Sequence, residues 1–262
     1  MKIDFHTHGK LAKKLPFSPV YTEWLLNQAK NSGLDAICMT EHFNTLGFEK
    51  IYEFIADTYE KDGDSFLANG IRVFPGMETD IAEGGHVLTV GPIDAILELN
   101  QRLETNKEKG NFLPFAQLME LFSQYPVLIG AGHPFREGGH IPEQQKELLE
   151  RLNFLDLNGK DLAAHMEKTK EKIYGLGQEL GIPVVAGSDT HQAFQYGCVA
   201  ADFRAECNTI KQLKEEMDKR EYEIHIADEI SFQVMTATVL KRALKKIHAL
   251  GGDYVSILTE EC

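Results

Sequence analysis

Residues 2–9 read KIDFHTHG, a short apolar run that closes on two histidines separated by one threonine. Successive side chains of a β-strand point to opposite faces, so His6 and His8 emerge on one side. Six further runs share this look: LDAICMT (34–40), IRVFPGME (71–78), HVLTVG (86–91), VLIGAGH (127–133), FLDLN (154–158) and PVVAGSD (183–189). Stretches of helical spacing lie between them: EWLLNQAKNSG (23–33), FEKIYEFIADTYEK (48–61), FAQLMELFSQY (115–125), EQQKELLERL (143–152) and HMEKTKEKIYGLGQELG (165–181). The last stops at Gly181 with Pro183 just beyond, as helices commonly do. Alternating strand and helix units argue for an α/β protein with a parallel sheet. Seven strands in series fit a closed or nearly closed barrel, and a doubly wound open sheet is the alternative.

The charged, turn-rich NQRLETNKEKGN (100–111) reads as a surface connection. After GSDTH (187–191) the chain runs through TIKQLKEEMDKREYEIHI (209–226) to a basic helix, VMTATVLKRALKKIHAL (234–250), expected to pack against the barrel with its lysines solvated. Residues 1–262 are thus expected to form a single barrel domain with a C-terminal helical extension from about residue 205.

Composition narrows the function classes. A hydrophobic share of 43% and a charged share of 26% are ordinary for a soluble globular protein. No apolar run approaches the ~20 residues of a membrane span, and acidic and histidine residues interrupt the N-terminus too early for a secretory pattern. A cytoplasmic protein with no membrane partner is expected. The formal net charge of −13 argues against a general nucleic-acid surface. A small anionic substrate stays open, because bound metal ions reverse the local field. Cys38, Cys198, Cys207 and Cys262 lie far apart and form no CxxC pair, so thiol-based zinc binding and a disulfide framework are disfavoured and free thiols expected.

The polar residues gather at the strand ends. KIDFHTH ends with His6 and His8, LDAICMTEH with Glu41 and His42, IRVFPGME with Glu78, VLIGAGH with His133, and PVVAGSDTH with Asp189 and His191. His86 opens its run instead of closing it. Barrels of this kind carry their catalytic groups at the C-terminal ends of the strands, on one rim. Any one of these residues has a plainer role: a hydrogen-bonding histidine, an exposed carboxylate, or, for Asp189, a helix N-cap. Their joint placement points elsewhere. So many titratable groups crowded without a cation would leave like charges facing one another and desolvated groups unpaired. Mixed imidazole and carboxylate ligands suit zinc, manganese or iron better than magnesium or calcium.

The motifs DFHTHG, TEHF, GMET, HVLTVG, GAGHPFR and GSDTH, in this order, resemble those of the PHP family, named for polymerase and histidinol phosphatase. The resemblance spans residues 1 to about 200. It implies a distorted, TIM-like (β/α)7 barrel, two or three divalent transition metals (Zn, Mn or Fe), and hydrolysis of phosphate esters. By position it implies His6, His8, Glu78 and Asp189 as ligands of a first metal. Glu78 would bridge to a second completed by His86 and His133, and His42 and His191 would hold a third. Glu41 stands where the family usually has aspartate and is expected to orient His42. GKLAKKLPFSP (9–19) departs from the family by lacking a further ligand; His140 is a candidate donor from elsewhere, and a plain surface histidine is its simpler reading. His165, His225 and His248 match no motif and read as structural.

The expected reaction is hydrolysis of a phosphate monoester of a small metabolite through a metal-bridged hydroxide. Asp189 or His191 would protonate the departing alkoxide, and Arg136 would grip the phosphate as a bidentate donor. Asn158 and Lys160 are weaker candidates for substrate contact. The same cluster could cleave a phosphodiester, an amide or a lactone, and a non-catalytic module of the same fold is the further alternative.

Overall fold

The computed structural model describes residues 1–259. Its strands are β1 (Lys2–Thr7), β2 (Ala36–His42), β3 (Glu60–Asp62), β4 (Ser65–Ala68), β5 (Ile71–Asp80), β6 (His86–Val90), β7 (Leu128–Gly132), β8 (Phe154–Asn158), β9 (Val184–Gly187), β10 (Val199–Asp202) and β11 (Glu223–Ile226). The helices are α1 (Pro19–Asn31), α2 (Phe48–Thr58), α3 (Ile93–Arg102), α4 (Phe115–Phe122), α5 (Lys146–Leu149), α6 (Gly159–Leu180), α7 (Ile210–Lys219), α8 (Ile230–Ala249) and α9 (Tyr254–Thr259). All seven expected runs are strands, and they follow one another in the sheet as β1-β2-β5-β6-β7-β8-β9.

The sheet curls into a nearly closed barrel of distorted β/α type. At the upper end β9 meets β1: Thr7 bridges Thr190 in parallel, the Asp189 amide donates to the His6 carbonyl at 2.7 Å, and the His8 amide to the Thr190 carbonyl at 3.0 Å. At the lower end β10 pairs antiparallel with Lys2 and Ile3 of β1 and carries β11 on its other side. The sheet is mixed, which corrects the uniformly parallel reading: β6 runs antiparallel to both β5 and β7. Only residues 81–85 join β5 to β6, far fewer than the dozen or so a parallel crossover needs.

That reversal fixes the rim. Along the forward strands, residues two apart face the barrel interior, apolar at the bottom and polar at the top: Cys38–Thr40–His42, Phe74–Gly76–Glu78, Phe154–Asp156–Asn158. On β6 the order is inverted, Val90–Leu88–His86, so the histidine that opens the run reaches the same rim as those that close the others. The lower interior is filled by Ile3, Phe5, Phe74, Leu88, Phe154 and Val185, capped by Ile210, Leu213 and Met217 of α7. The β1–β2 register shifts between Asp4 and Thr7. This irregularity lets Phe5 pack with Phe154 in the plug while its neighbour His6 joins the rim.

Several helices differ from their expected limits. The stretch 48–61 is helical only to Thr58, and its tail becomes β3, whose register mate is β4. The segment 143–152 keeps one short helix, α5, and the 100–111 connection begins inside α3. Helix α6 starts six residues before His165 and kinks there (φ −151°, ψ 67°), where the sequence places its start. Helix α8 packs on α6 and on the short turn Ala193–Gln195. Cys38, Cys198 and Cys207 are buried free thiols, and Cys262 lies outside the described residues. No helix among the described residues is long and apolar enough to cross a membrane.

Candidate metal centre

The rim brings the expected ligands together. Three groups each place one ligand atom per residue within 4.8 Å of one another: His6, His8 and Asp189; His6, Glu78 and His133; and His8, His42 and His191. All seven residues are buried. Glu78 is the hub. Its Oε1 lies 2.5 Å from His86 Nδ1, 3.1 Å from His133 Nε2 and 3.5 Å from His6 Nε2, and its Oε2 lies 2.7 Å from His42 Nδ1 and 3.4 Å from His8 Nε2. Asp189 Oδ1 lies 3.3 Å from His8 Nε2 and 3.9 Å from His6 Nε2. The His8 ring stacks on His191 at 3.9 Å and on His42 at 4.3 Å between centroids.

The outer contacts set which nitrogen each ring offers. His6 donates Nδ1–H to Asp156 Oδ2 at 2.9 Å, so Nε2 points its lone pair at Glu78 and Asp189. His191 donates Nδ1–H to the Lys10 carbonyl at 2.9 Å and likewise leaves Nε2 to the cluster. Metal-binding histidines are held this way, with the second nitrogen anchored on a carboxylate or carbonyl. His6 Nε2, both His8 nitrogens, His42 Nδ1 and Glu78 Oε2 are buried without a hydrogen-bond partner among the described residues. Buried polar atoms left unpaired cost free energy, on the order of 1–3 kcal/mol each. Divalent cations would satisfy one nitrogen of each ring and the Glu78 oxygen, so these residues fit a polynuclear metal site.

The local fields pull the rings in opposite directions: burial opposes the charge on His6, but Glu78 and Asp156 outweigh it and raise the ring well above the ordinary imidazole range. Burial opposes the charge on Glu78, but His86, His42 and His6 outweigh it and hold the carboxyl well below the usual carboxylate range. Burial also opposes the charge on Asp189, and Lys160, His8 and Arg136 hold it down in the same way. Burial pushes His42 down to about 4 and lowers His133 and His191. His86 goes the other way: burial is outweighed by Glu78 and Asp80, which raise it to about 9. Asp189 and His133 both sit in the left-handed backbone region, at φ +56° and +31°, where residues other than glycine are uncommon. Such strain gathers where surrounding structure fixes a functional side chain.

Some expectations need correction. Arg136 does not present a free fork to a phosphate: its Nε holds Asp161 at 3.0 Å, Nη1 holds Asp189 Oδ2 at 2.7 Å, and Nη2 holds the Asn158 side-chain oxygen at 2.7 Å. It positions Asp189. Asp189 lies between the Arg136 and Lys160 cations, and His191 donates Nδ1–H to the Lys10 carbonyl. Glu41 does not orient the His42 ring; it accepts from the His42 amide at 2.9 Å and faces His8 Nδ1 at 3.5 Å. The third group gains His8 as the partner of His42 and His191. His140 is exposed and bonded to Glu143, and His165, His225 and His248 also lie on the surface.

Asp156 and Asp80 escaped the sequence reading. Each had a signal: Asp156 is a lone acid inside the apolar run FLDLN, and Asp80 stands two residues beyond Glu78, on the same strand face. Asp80 Oδ1 lies 3.0 Å from His86 Nε2. Next to this pair opens a cavity of about 660 Å³ lined by Lys13, Asn44, Asp80, His86, Lys109 and Phe112, among others.

Comparison with protein-family models matches residues 4–170 to the PHP domain. The chain belongs to the PHP domain family. It is therefore a metal-dependent hydrolase of the PHP type, with its buried His, Asp and Glu groups at the barrel mouth. No curated protein matches the sequence. Among solved structures, PsfC from Pseudomonas syringae PB-5123 superposes with a TM-score of 0.77 at 21% identity, over 93% of this chain and 98% of that one. The lesion-specific endonuclease Q from Pyrococcus furiosus gives 0.61 at 17% identity, over 85% of this chain and 57% of its own. An amidohydrolase from Chromobacterium violaceum, solved with bound sulfate and no metal, gives 0.51 at 15% identity, over 86% and 98%. At these identities the PHP fold is what the likenesses share.

Proposed function

We propose that this PHP protein hydrolyses phosphate monoesters of small metabolites. Two or three divalent transition metals, zinc, manganese or iron, would be held by His6, His8, Glu78 and Asp189, by His86 and His133, and by His42 and His191. The observation that carries the reading is the buried cluster with unpaired lone pairs, opening beside a cavity of about 660 Å³. That volume suits a metabolite or single nucleotide. A net charge of −13 disfavours a duplex nucleic acid as substrate.

When bound, the metals would supply an activated water and neutralise the phosphoryl oxygens. The protein's own residues prepare the place. Asp156 fixes the tautomer of His6, and the Lys10 carbonyl fixes that of His191. Arg136 and Lys160 hold Asp189 ionised and aimed at His8. Barrel walls on every side exclude bulk water from Glu78. The leaving group would extend into the cavity beside His86, between Phe112 and the two lysines.

The purified protein is expected to carry stoichiometric transition metal and to hydrolyse p-nitrophenyl phosphate. His8→Ala and Asp189→Ala should each abolish turnover and lower metal content while leaving the circular dichroism spectrum intact. A panel of phosphomonoesters, phosphodiesters, amides and lactones decides the bond; turnover of a diester, amide or lactone with inert monoesters would overturn the reading.

A further inference from the structure

With the Arg136 fork engaged by Asp161, Asp189 and Asn158, a phosphate held at the rim needs other cations. Helix α8, outside the segment matched to the PHP domain, supplies one. Its buried residues Ile230, Ala237 and Leu244 recur every seven positions and mark its inward face. Lys241, four residues after Ala237 and three before Leu244, lies on that face. Ser231 Oγ donates to the Ala163 carbonyl at 3.2 Å and pins the start of α8 to the first turns of α6, where Lys160 stands. The helix also packs on the turn Ala193–Gln195, which directly follows His191 and Gln192.

Lys160 and Lys241 therefore stand on two packed helices, α6 and α8, at the Asp189–His191 side of the rim. Lys160 Nζ lies 2.9 Å from Asp189 Oδ2 and 2.6 Å from the Asp189 carbonyl. Lys241 is half-buried and has no hydrogen-bond or ion-pair partner among the described residues. Burial, and then Lys160, push its ammonium down to about 8, and its field reaches His191. Asp189, paired with Lys160, and Glu41 offset part of that repulsion without bonding to Lys241, which leaves its ammonium able to take an incoming anion. In a chain of net charge −13 the arrangement is local and specific.

We infer that Lys241 forms the anion seat of the site, gripping the phosphoryl oxygens of the substrate from beneath helix α8, while Lys160 stays on Asp189. The inference rests on the phosphate-ester reading for its substrate but not for its geometry. It places the phosphate on the Asp189–His191 side and leaves the cavity beside Asp80 and His86 for the remainder of the molecule. Helix α8 is then part of the substrate site.

The test is calorimetric titration of inorganic phosphate into the metal-loaded full chain, with metal content and thermal midpoint measured on every sample. Lys241→Ala should weaken phosphate binding about 10- to 100-fold, the usual worth of a charged hydrogen bond, with metal content unchanged. Lys241→Arg should restore most of the affinity, and Lys246→Ala, on the exposed side of α8, should match wild type. Lys241→Met keeps the packing of the stem and serves if the alanine variant unfolds. Wild-type affinity in Lys241→Ala or Lys241→Met at equal metal content overturns the seat, as does a wild-type chain that hydrolyses monoesters without binding phosphate. Lys241-dependent phosphate binding in a protein that turns over no monoester supports the seat and overturns the phosphatase reading instead.

Discussion

The tetrapeptide Glu-Gly-Gly-His occurs twice, at 83–86 and at 137–140, and the two copies touch: the His140 amide donates to the Gly84 carbonyl at 2.8 Å. Their fates diverge. In the first copy Glu83 takes the Phe115 amide at the start of α4, and His86 begins β6. Antiparallel register then sets His86 opposite Asp80, with Glu78 2.5 Å away. In the second copy the chain turns into Ile141–Glu143, and His140 faces solvent against Glu143. The His86 side chain is 24% exposed and the His140 side chain 47%. An identical local sequence thus yields one member of a buried cluster and one surface residue. What separates them is the sheet register that follows, which decides whether carboxylates are waiting across the strand.

The sharpest way to break this contrast is to remove the ring inside the cluster. His86→Ala is expected to lower metal occupancy and turnover by about 10- to 100-fold, and Asp80→Asn by a smaller factor, the range typical of groups that hold or orient a ligand. Metal content by mass spectrometry and kcat/KM for a monoester check both. If His86→Ala keeps full metal and full activity, then the register that places it beside Glu78 has no functional consequence and the two copies are equivalent.

The glycines of the two copies sharpen the comparison on the side of stability. Gly84 (φ +94°) and Gly138 (φ +79°) both sit in the left-handed region, which costs an alanine about 1–2 kcal/mol. At Gly84 an added Cβ would also meet the Gly138 carbonyl oxygen at 2.6 Å, whereas nothing lies within 4 Å of one at Gly138. Gly84→Ala should therefore destabilise by about 2–5 kcal/mol, the clash adding about 1–3, and Gly138→Ala by only about 1–2. Thermal melts read the difference directly, at about 2–4 °C per kcal/mol for a chain of this size. Equal midpoints for the two variants would mean that the loops do not pack as closely as their contact implies.

The same contrast explains how much the sequence could tell. Strand identity and the ends of the forward strands are local properties, carried by apolar runs that finish in His, Glu or Asp, and all seven barrel strands were legible in that way. The short strands β3, β4, β10 and β11 were not, because three or four residues carry no clear period. The reversal of β6 was legible in principle from the five-residue link at 81–85, and overlooking it is what made His86 look out of step. Partners across the sheet are non-local. Asp156 meets His6 from 150 positions away, and Arg136 meets Asp189 from 53, so nothing near either residue announces the contact. Lys241 reads from sequence as one lysine on a solvated face. Only the packing of α8 on α6 turns it inward.

The smallest effect is expected where the tetrapeptide is least constrained. His140→Ala removes an exposed ring whose one side-chain partner is Glu143, three residues on, at 3.0 Å. Exposed ion pairs of this kind contribute about 0–1 kcal/mol, so the melting temperature should move by no more than about 4 °C, and metal content and kcat/KM should stay at the wild-type value. The sequence left His140 open as a donor to the His42 and His191 group, because 9–19 offers no further ligand there. The structure fills that group with His8 instead, whose ring stacks on each of the other two. A loss of one metal equivalent in His140→Ala would show that the loop swings in to complete the group after all, and would make the second copy a ligand like the first.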